Sequence, residues 1–107
     1  MPKGKTKSFG DVMPKIEFYT DLPKVPLAEL MDKEYELTDA QVVRDFNGEF
    51  GKSDFALLLM SDLTDGQQFT TLSGGMVVVK KIQYALDHKL LPLRGTIIFT
   101  GEYYDIN

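Results

Sequence analysis

The chain contains no cysteine among its 107 residues and has a single histidine, His88. Without cysteine there are no disulfides, thiolate zinc sites, iron–sulfur clusters or cysteine nucleophiles. One histidine also argues against a catalytic triad or a histidine-based metal site. The apolar runs are far shorter than the ~20 residues that span a bilayer, and the N-terminal MPKGKTKSFG lacks the apolar core of a secretory signal. We expect a small soluble cytoplasmic domain with no membrane partner and no cofactor.

Composition and charge further limit the class of protein and the partners that it could bind. Apolar residues make up 43% of the chain and charged residues 26%, as in an ordinary folded domain. The net charge is −4, but Lys3, Lys5 and Lys7 lie in the first ten residues without any acid, so the rest of the chain carries −7. An acidic body argues against nucleic acid as a partner, unless the remaining positive charges lie together on one face.

The first third of the chain differs in character from the rest. Residues 1–10 are rich in Lys, Gly and Ser and predict a mobile basic arm, which is either a solubilising tail or an attractor for a phosphate chain. Prolines then interrupt the sequence and exclude a long helix, and Pro26 followed by LAEL predicts one helical turn. We therefore assign residues 1–32 to a flexible basic arm and a proline-punctuated lead-in, and 33–107 to the folded domain.

The domain begins with a predicted strand pair. A stretch of β-branched and aromatic residues starts at Glu34, and its inward phase changes near 39–41, which predicts a bulge in one long strand. The turn-forming NGEFGKS at 47–53 predicts a loop to the next strand. The continuous apolar run FALLLM at 55–60 predicts a strand that is buried on both faces for part of its length.

The remaining elements are a strand, a helix and a closing hairpin. Asp-Gly at 65–66 predicts a turn into a third strand at 67–72. A helix follows, with Ser73 as a candidate cap and Pro92 beyond its end. Strands are then expected at 95–100 and 103–106. The predicted buried stripe of the helix has spacings of three and four: Met76, Val79, Ile82, Leu86 and Leu90.

This order predicts a mainly β domain. Three strands, one helix between strands 3 and 4, and two further strands match a five-stranded OB-fold-like barrel, and the alternative is an α+β roll. OB barrels often bind oligonucleotides or oligosaccharides across their second and third strands.

The pattern of the chain also resembles a family. A proline-punctuated lead-in, a Phe-Gly-Lys loop, an alternating strand, a glycine-rich entry to a valine-rich helix and a Leu-Pro before a closing aromatic hairpin occur at 22–30, 50–52, 69–72, 73–80 and 91–104. Over residues 22–106 the chain is similar to small OB-fold proteins of phages and mobile elements that bind single-stranded DNA. The resemblance implies an OB fold, single-stranded DNA as the partner, and a role in replication or recombination.

Binding of a single strand needs rings on which bases stack and cations along the backbone. Alternatives remain for several candidates: Phe46 and Phe69 either face the ligand or fill the core, and Lys52 and Lys80 either bind phosphate or are solvated. Tyr103 is predicted to be exposed, since Tyr104 lies on the opposite face with Ile106. The predicted nucleic-acid-binding residues are Arg44, Phe46, Phe50, Lys52, Phe69, Lys80 and Tyr103.

No catalytic or phosphate-cradling motif stands out. Ser-Gly-Gly at 73–75 lacks the spacing of a nucleotide-binding loop and reads as a tight turn. The carboxylate pairs Asp62 with Asp65 and Glu102 with Asp105 flank predicted turns, where acids are ordinary. We therefore expect a protein that is not an enzyme.

The sequence thus predicts a nonspecific single-stranded DNA-binding protein of phage or mobile-element replication and recombination. Further partners would be other copies of the chain or a replication protein. The alternative from another class is a protein-interaction module with an OB-like barrel, which uses a barrel face or an open strand edge and binds no nucleic acid. A sugar- or peptide-binding barrel is a third hypothesis.

Overall fold

The computed structural model describes residues 17–48 and 51–107, with side chains at 17–46 and 53–107. Within these residues, five antiparallel strands and one α-helix confirm the mainly β prediction. The elements are β1 (Glu34–Gly48), β2 (Gly51–Asp62), β3 (Gln68–Ser73), α1 (Met76–Asp87), β4 (Leu93–Phe99) and β5 (Tyr104–Ile106), and the sheet order is β3-β2-β1-β4-β5.

Strand β1 is the longest element and pairs on both sides. Its first four residues pair with β4, while most of its length pairs with β2. The register shifts between Leu37 and Asp39, which confirms the predicted bulge. The loop predicted at 47–53 is wrong in extent, because the ladder continues to the pair Gly48 and Gly51. Phe50, a predicted binding residue within that loop, lies outside the described residues.

The sheet is not closed into a barrel, which corrects the barrel prediction. In the described part of the chain β3 and β5 end the sheet and do not pair with each other. Residues 17–32 are here called the lead-in, and its segment Pro23–Val25 bonds to β3 at Thr70: Val25 N donates to Thr70 O at 2.8 Å, and Thr70 N donates to Pro23 O at 2.8 Å. These bonds use the outer edge of β3, so the same groups are not available to β5.

The lead-in continues from β3 to β4 through a short helix. Leu27–Leu30 form a 3₁₀ helix with Pro26 at its N-cap, in agreement with the predicted helical turn, and both of its leucines are buried in the core. Beyond it, Asp32 N donates to Ile97 O at 2.8 Å. The lead-in therefore spans the gap between the β3 edge and β4 and fills part of it with side chains.

Strand β2 is buried on both faces for part of its length, as predicted, although Leu57 is only half-buried. Ala56, Leu58 and Met60 belong to one core cluster, which also contains Val78, Val79 and Ile82 of α1. Phe55 and Leu59 alternate with them, point to the other face and are also buried.

The start of α1 differs from the sequence prediction. Gly75, not Ser73, occupies the N-cap, and no side chain caps the helix. The Ser73 hydroxyl instead accepts a bond from Gly75 N at 3.4 Å, within the turn. The tight turn predicted for Ser-Gly-Gly therefore agrees with the structure, while the cap does not.

The buried face of α1 is also rotated from the predicted stripe. Met76 is the first helical residue and Leu90 lies past the last one, so both are exposed where the core does not reach. Leu86 is half-buried against the core. The buried helix residues are Val78, Val79, Ile82 and Ala85.

Lys81 fastens α1 to the last strand. Its Nζ lies 2.8 Å from Asp105 Oδ1 and donates to Ile106 O at 3.0 Å. The hydrogen bond from Lys81, reinforced by the backbone N–H of Ile106, holds the pKa of Asp105 below its usual value. The carboxylate is therefore stabilised in its charged form by folding.

Asp105→Asn removes this charge and keeps an oxygen acceptor. A carboxyl with a lowered folded pKa contributes its full stabilisation above the unfolded aspartate pKa of about 3.9, and loses it as pH falls through the folded value. We expect Asp105→Asn to be less stable than the wild type at pH 7, with the difference shrinking below about pH 4. Urea unfolding at several pH values measures this. A difference that does not change with pH would contradict the role of the charge.

Gly95 permits close packing between β4 and β5. A Cβ at this position would lie 3.0 Å from both Cγ1 and Cδ1 of the buried Ile106. We expect Gly95→Ala to lower the free energy of unfolding by about 1–3 kcal/mol, because the added methyl overpacks the core. Urea unfolding measures the loss. Gly74→Ala is the matched control: an added Cβ there meets nothing within 4 Å, so an equal loss in both variants would contradict the packing argument.

Candidate nucleic-acid interface

A groove of about 400 Å³ lies between β2, β3 and the lead-in, and is here called the β2–β3 groove. It lies on one face of the second and third strands, which are the strands across which an OB barrel was expected to bind its ligand. Thr20, Lys24 and Thr70 contribute polar groups to its lining. Its apolar lining comes mainly from Phe18, Val25, Phe55, Leu57 and Leu72.

The floor of the groove is a cross-strand leucine pair. Leu57 and Leu72 are direct partners in the β2–β3 ladder, so their side chains lie side by side on one face. Leu57 is half-buried and Leu72 is 51% exposed, whereas Phe55 and Leu59 on the same face are buried. The groove is therefore the stretch of this face that the lead-in leaves uncovered.

The wall formed by the lead-in is fastened to β1. Tyr19 Oη donates to Asp39 Oδ2 at 2.6 Å, and this bond is the main reason that the pKa of Tyr19 is raised. The Tyr19 ring packs edge-to-face with Phe18, with centroids 4.8 Å apart. This contact supports Phe18, whose buried ring lines the groove.

Most of the described cationic side chains form ion pairs with acidic side chains of the same chain. Four ion pairs are present: Lys33–Asp62 at 2.7 Å, Arg44–Asp54 at 3.1 Å, Lys81–Asp105 at 2.8 Å and Arg94–Glu34 at 4.0 Å. Among the described side chains, Lys24, Lys80 and Lys89 take part in none of them. Lys24 is the cation of this group that lines the groove.

Two predicted aromatic residues pack inside the protein. Phe69 is only 9% exposed, belongs to the core cluster and packs edge-to-face with Tyr35 at 5.4 Å, so the core alternative applies to it. Phe46 is half-buried and packs edge-to-face with Phe55 at 5.5 Å. Tyr103, by contrast, is 44% exposed just before β5, as predicted.

The predicted cations are dispersed. Arg44 bonds to Asp54 and, at 3.2 Å, to Gln83 Oε1 of α1, so it links β1 and β2 to the helix. Lys80 is exposed on α1. The backbone of Lys52 lies in β2, but its side chain lies outside the described residues, as do Lys3, Lys5 and Lys7 of the N-terminal arm.

None of the predicted binding residues with a described side chain lines the β2–β3 groove. Sequence reasoning missed Phe18, Lys24, Leu57 and Leu72 as a group. One signal was present: a strand that is apolar on both faces requires a cover on each, and the proline-punctuated lead-in had not been assigned to the folded domain.

Comparisons with known proteins give no match: no family model, no curated protein and no solved structure is similar to this chain. Within residues 17–48 and 51–107, no helix is long and apolar enough to cross a membrane. Over the same residues, no three or more histidine, aspartate or glutamate side chains cluster in a way that could hold a metal ion.

Phe69 is buried and Tyr103 is exposed, so truncating the two rings is expected to change stability by different amounts. We expect Phe69→Ala to lower the free energy of unfolding by about 3–5 kcal/mol, since it removes a buried ring from the core. Tyr103→Ala should change it by no more than about 0.5 kcal/mol, as is usual at an exposed position. Thermal and urea unfolding measure both. Equal losses in the two variants would show that Tyr103 also carries core packing.

Proposed function

We propose that this chain binds single-stranded DNA without sequence preference, with bases in the β2–β3 groove, and that it serves the replication or recombination of a phage or mobile element. The fold we propose is an open variant of the OB fold. Its support is the strand order β3-β2-β1-β4-β5, the helix between β3 and β4 and the long bulged first strand. The OB fold is itself a partly open five-stranded barrel.

The observation that carries the proposal is the apolar groove on the β2–β3 face. Its walls include two phenylalanine rings, Phe18 and Phe55, and its floor is the pair Leu57 and Leu72. Both rings are buried, so the surface that a base would cover is mainly that of the leucine pair, where Leu72 is 51% exposed. Because every base has an apolar π-face, this contact tolerates any sequence. The affinity in this proposal comes mainly from bases in the groove.

Phosphate contacts are few in this proposal. Lys24 lines the groove, and the three N-terminal lysines add positive charge that the sequence places ahead of the lead-in. Each neutralised phosphate of a single strand contributes about −0.7 to the slope of log K against log salt. A slope of small magnitude therefore separates this protein from binders that depend on an extended basic surface.

Titration of a fluorescent oligo-dT by anisotropy, at increasing salt, tests the proposal. We expect Lys24→Gln to reduce the magnitude of the slope by about 0.7, and deletion of residues 1–8 to reduce it by at most about 2, the value for three phosphates. Arg94→Gln is the matched control, because Arg94 lies on β4, away from the groove, and is expected to leave the slope unchanged. No anisotropy change at low salt with micromolar protein would refute DNA binding.

A protein-interaction module remains the second candidate because the outer edge of β3, which the lead-in occupies at Thr70, is open at Leu72. Thr70 directs its backbone groups outward to the lead-in, so Leu72, two residues on, has the same orientation. Within the described residues, the N–H and C=O of Leu72 have no backbone partner. An extended peptide pairing there would add a strand to the sheet, and peptide binding without DNA binding would favour this candidate.

A further inference from the structure

The first residues of the lead-in, 17–22, have few attachments to the sheet and are here called the lid. Within the described residues, the one backbone–backbone hydrogen bond of the lid is internal, from Leu22 N to Tyr19 O at 3.1 Å. Backbone bonding to the sheet begins after the lid, where the segment Pro23–Val25 bonds to Thr70. The lid can therefore move about this attachment without the loss of a described backbone bond to the sheet.

One side-chain hydrogen bond ties the lid to the sheet. Tyr19 Oη donates to Asp39 Oδ2 at 2.6 Å, and Asp39 is the direct partner of the buried Leu59 in the β1–β2 ladder. Tyr19 also has a φ of +50°, which is an uncommon conformation for a bulky residue. Such a conformation persists only while its surroundings impose it, so loss of the bond to Asp39 favours a rearranged lid.

The lid also keeps aromatic surface of the β2–β3 groove away from solvent. Phe18 is the buried residue of the lid, and its ring lines the groove together with Phe55, which is buried as well. Tyr19, Thr20 and Asp21 of the lid are exposed. Base stacking needs an accessible apolar face, and with the lid in place neither phenylalanine ring of the groove offers one.

We propose that the lid controls access to the β2–β3 groove: it opens when the Tyr19–Asp39 bond breaks, and a DNA base then covers the surface that Phe18 leaves. This inference rests on the proposed function. A ligand that binds the open state alone has an apparent affinity reduced by the fraction of molecules that are open. The Tyr19–Asp39 bond therefore lowers the affinity for DNA, although it lies in the wall of the binding groove.

Tyr19→Phe removes the hydroxyl that holds the lid closed and keeps the ring that packs on Phe18. We expect this variant to bind fluorescent oligo-dT about five-fold more tightly than the wild type, because the loss of one hydrogen bond raises the open fraction by about this factor. Tyr103→Phe is the matched control: it makes the same chemical change at an exposed tyrosine that does not line the groove. Asp39→Asn should add less affinity to Tyr19→Phe than to the wild type, because both changes break one bond.

A second measurement follows the lid without DNA. An open lid exposes apolar surface, to which the fluorescent dye ANS binds. We expect Tyr19→Phe to bind more ANS than the wild type or Tyr103→Phe, at temperatures where all three proteins remain folded. Equal dye binding by the three proteins would overturn the proposed lid.

The outcomes separate the lid from the proposed function. If neither the wild type nor Tyr19→Phe binds oligo-dT, the proposed function fails, and control of DNA access by the lid fails with it. If the wild type binds oligo-dT and Tyr19→Phe binds it equally or more weakly, the proposed function stands and the lid is overturned. Weaker binding would mean that the closed lid is itself part of the binding surface.

Discussion

Strand β2 is apolar on both faces over residues 55–60, and each face needs a cover because water would otherwise contact a continuous hydrophobic surface. Helix α1 packs against one face, where Ala56, Leu58 and Met60 join the core cluster. In the part of the chain that the structure describes, no α-helix packs on the second face, and the lead-in contributes Phe18 there and residues that bond to β3 at Thr70. The rest of the architecture depends on this two-sided burial.

The same requirement leaves the sheet open and creates the groove. Since the lead-in bonds to Thr70, the outer edge of β3 pairs with it and not with β5. The lead-in then turns away into the 3₁₀ helix at Leu27–Leu30, and its cover ends beside Leu57 and Leu72. An apolar pair, half-buried Leu57 and exposed Leu72, thus remains accessible beside the buried Phe55 and Leu59.

The sequence alone predicted those structural features that depend on residues close together in the chain. The bulge in β1, the helical turn after Pro26 and the double burial of β2 follow from patterns within a few residues. The groove could not be predicted in this way, because Phe18 and Lys24 reach it through pairing with β3 more than forty positions later. The face of Phe69 was ambiguous for a related reason: Thr70 and Thr71 are both buried, so polarity did not mark the outer face.

Net charge does not indicate which cations of this chain are available to a ligand, because four of the described cations are paired with acids. Each described ion pair joins two parts of the fold: Arg94 links β4 to Glu34 in β1, and Lys81 links α1 to Asp105 in β5. Exposed pairs of this kind contribute little energy, yet they neutralise the cation for any external phosphate. Among the described side chains, Lys24, Lys80 and Lys89 are outside these pairs, and Lys24 lines the apolar β2–β3 groove. Under the proposed function, an acidic body weakens long-range attraction to DNA but does not remove the short-range gain from covering apolar surface, which salt screens far less.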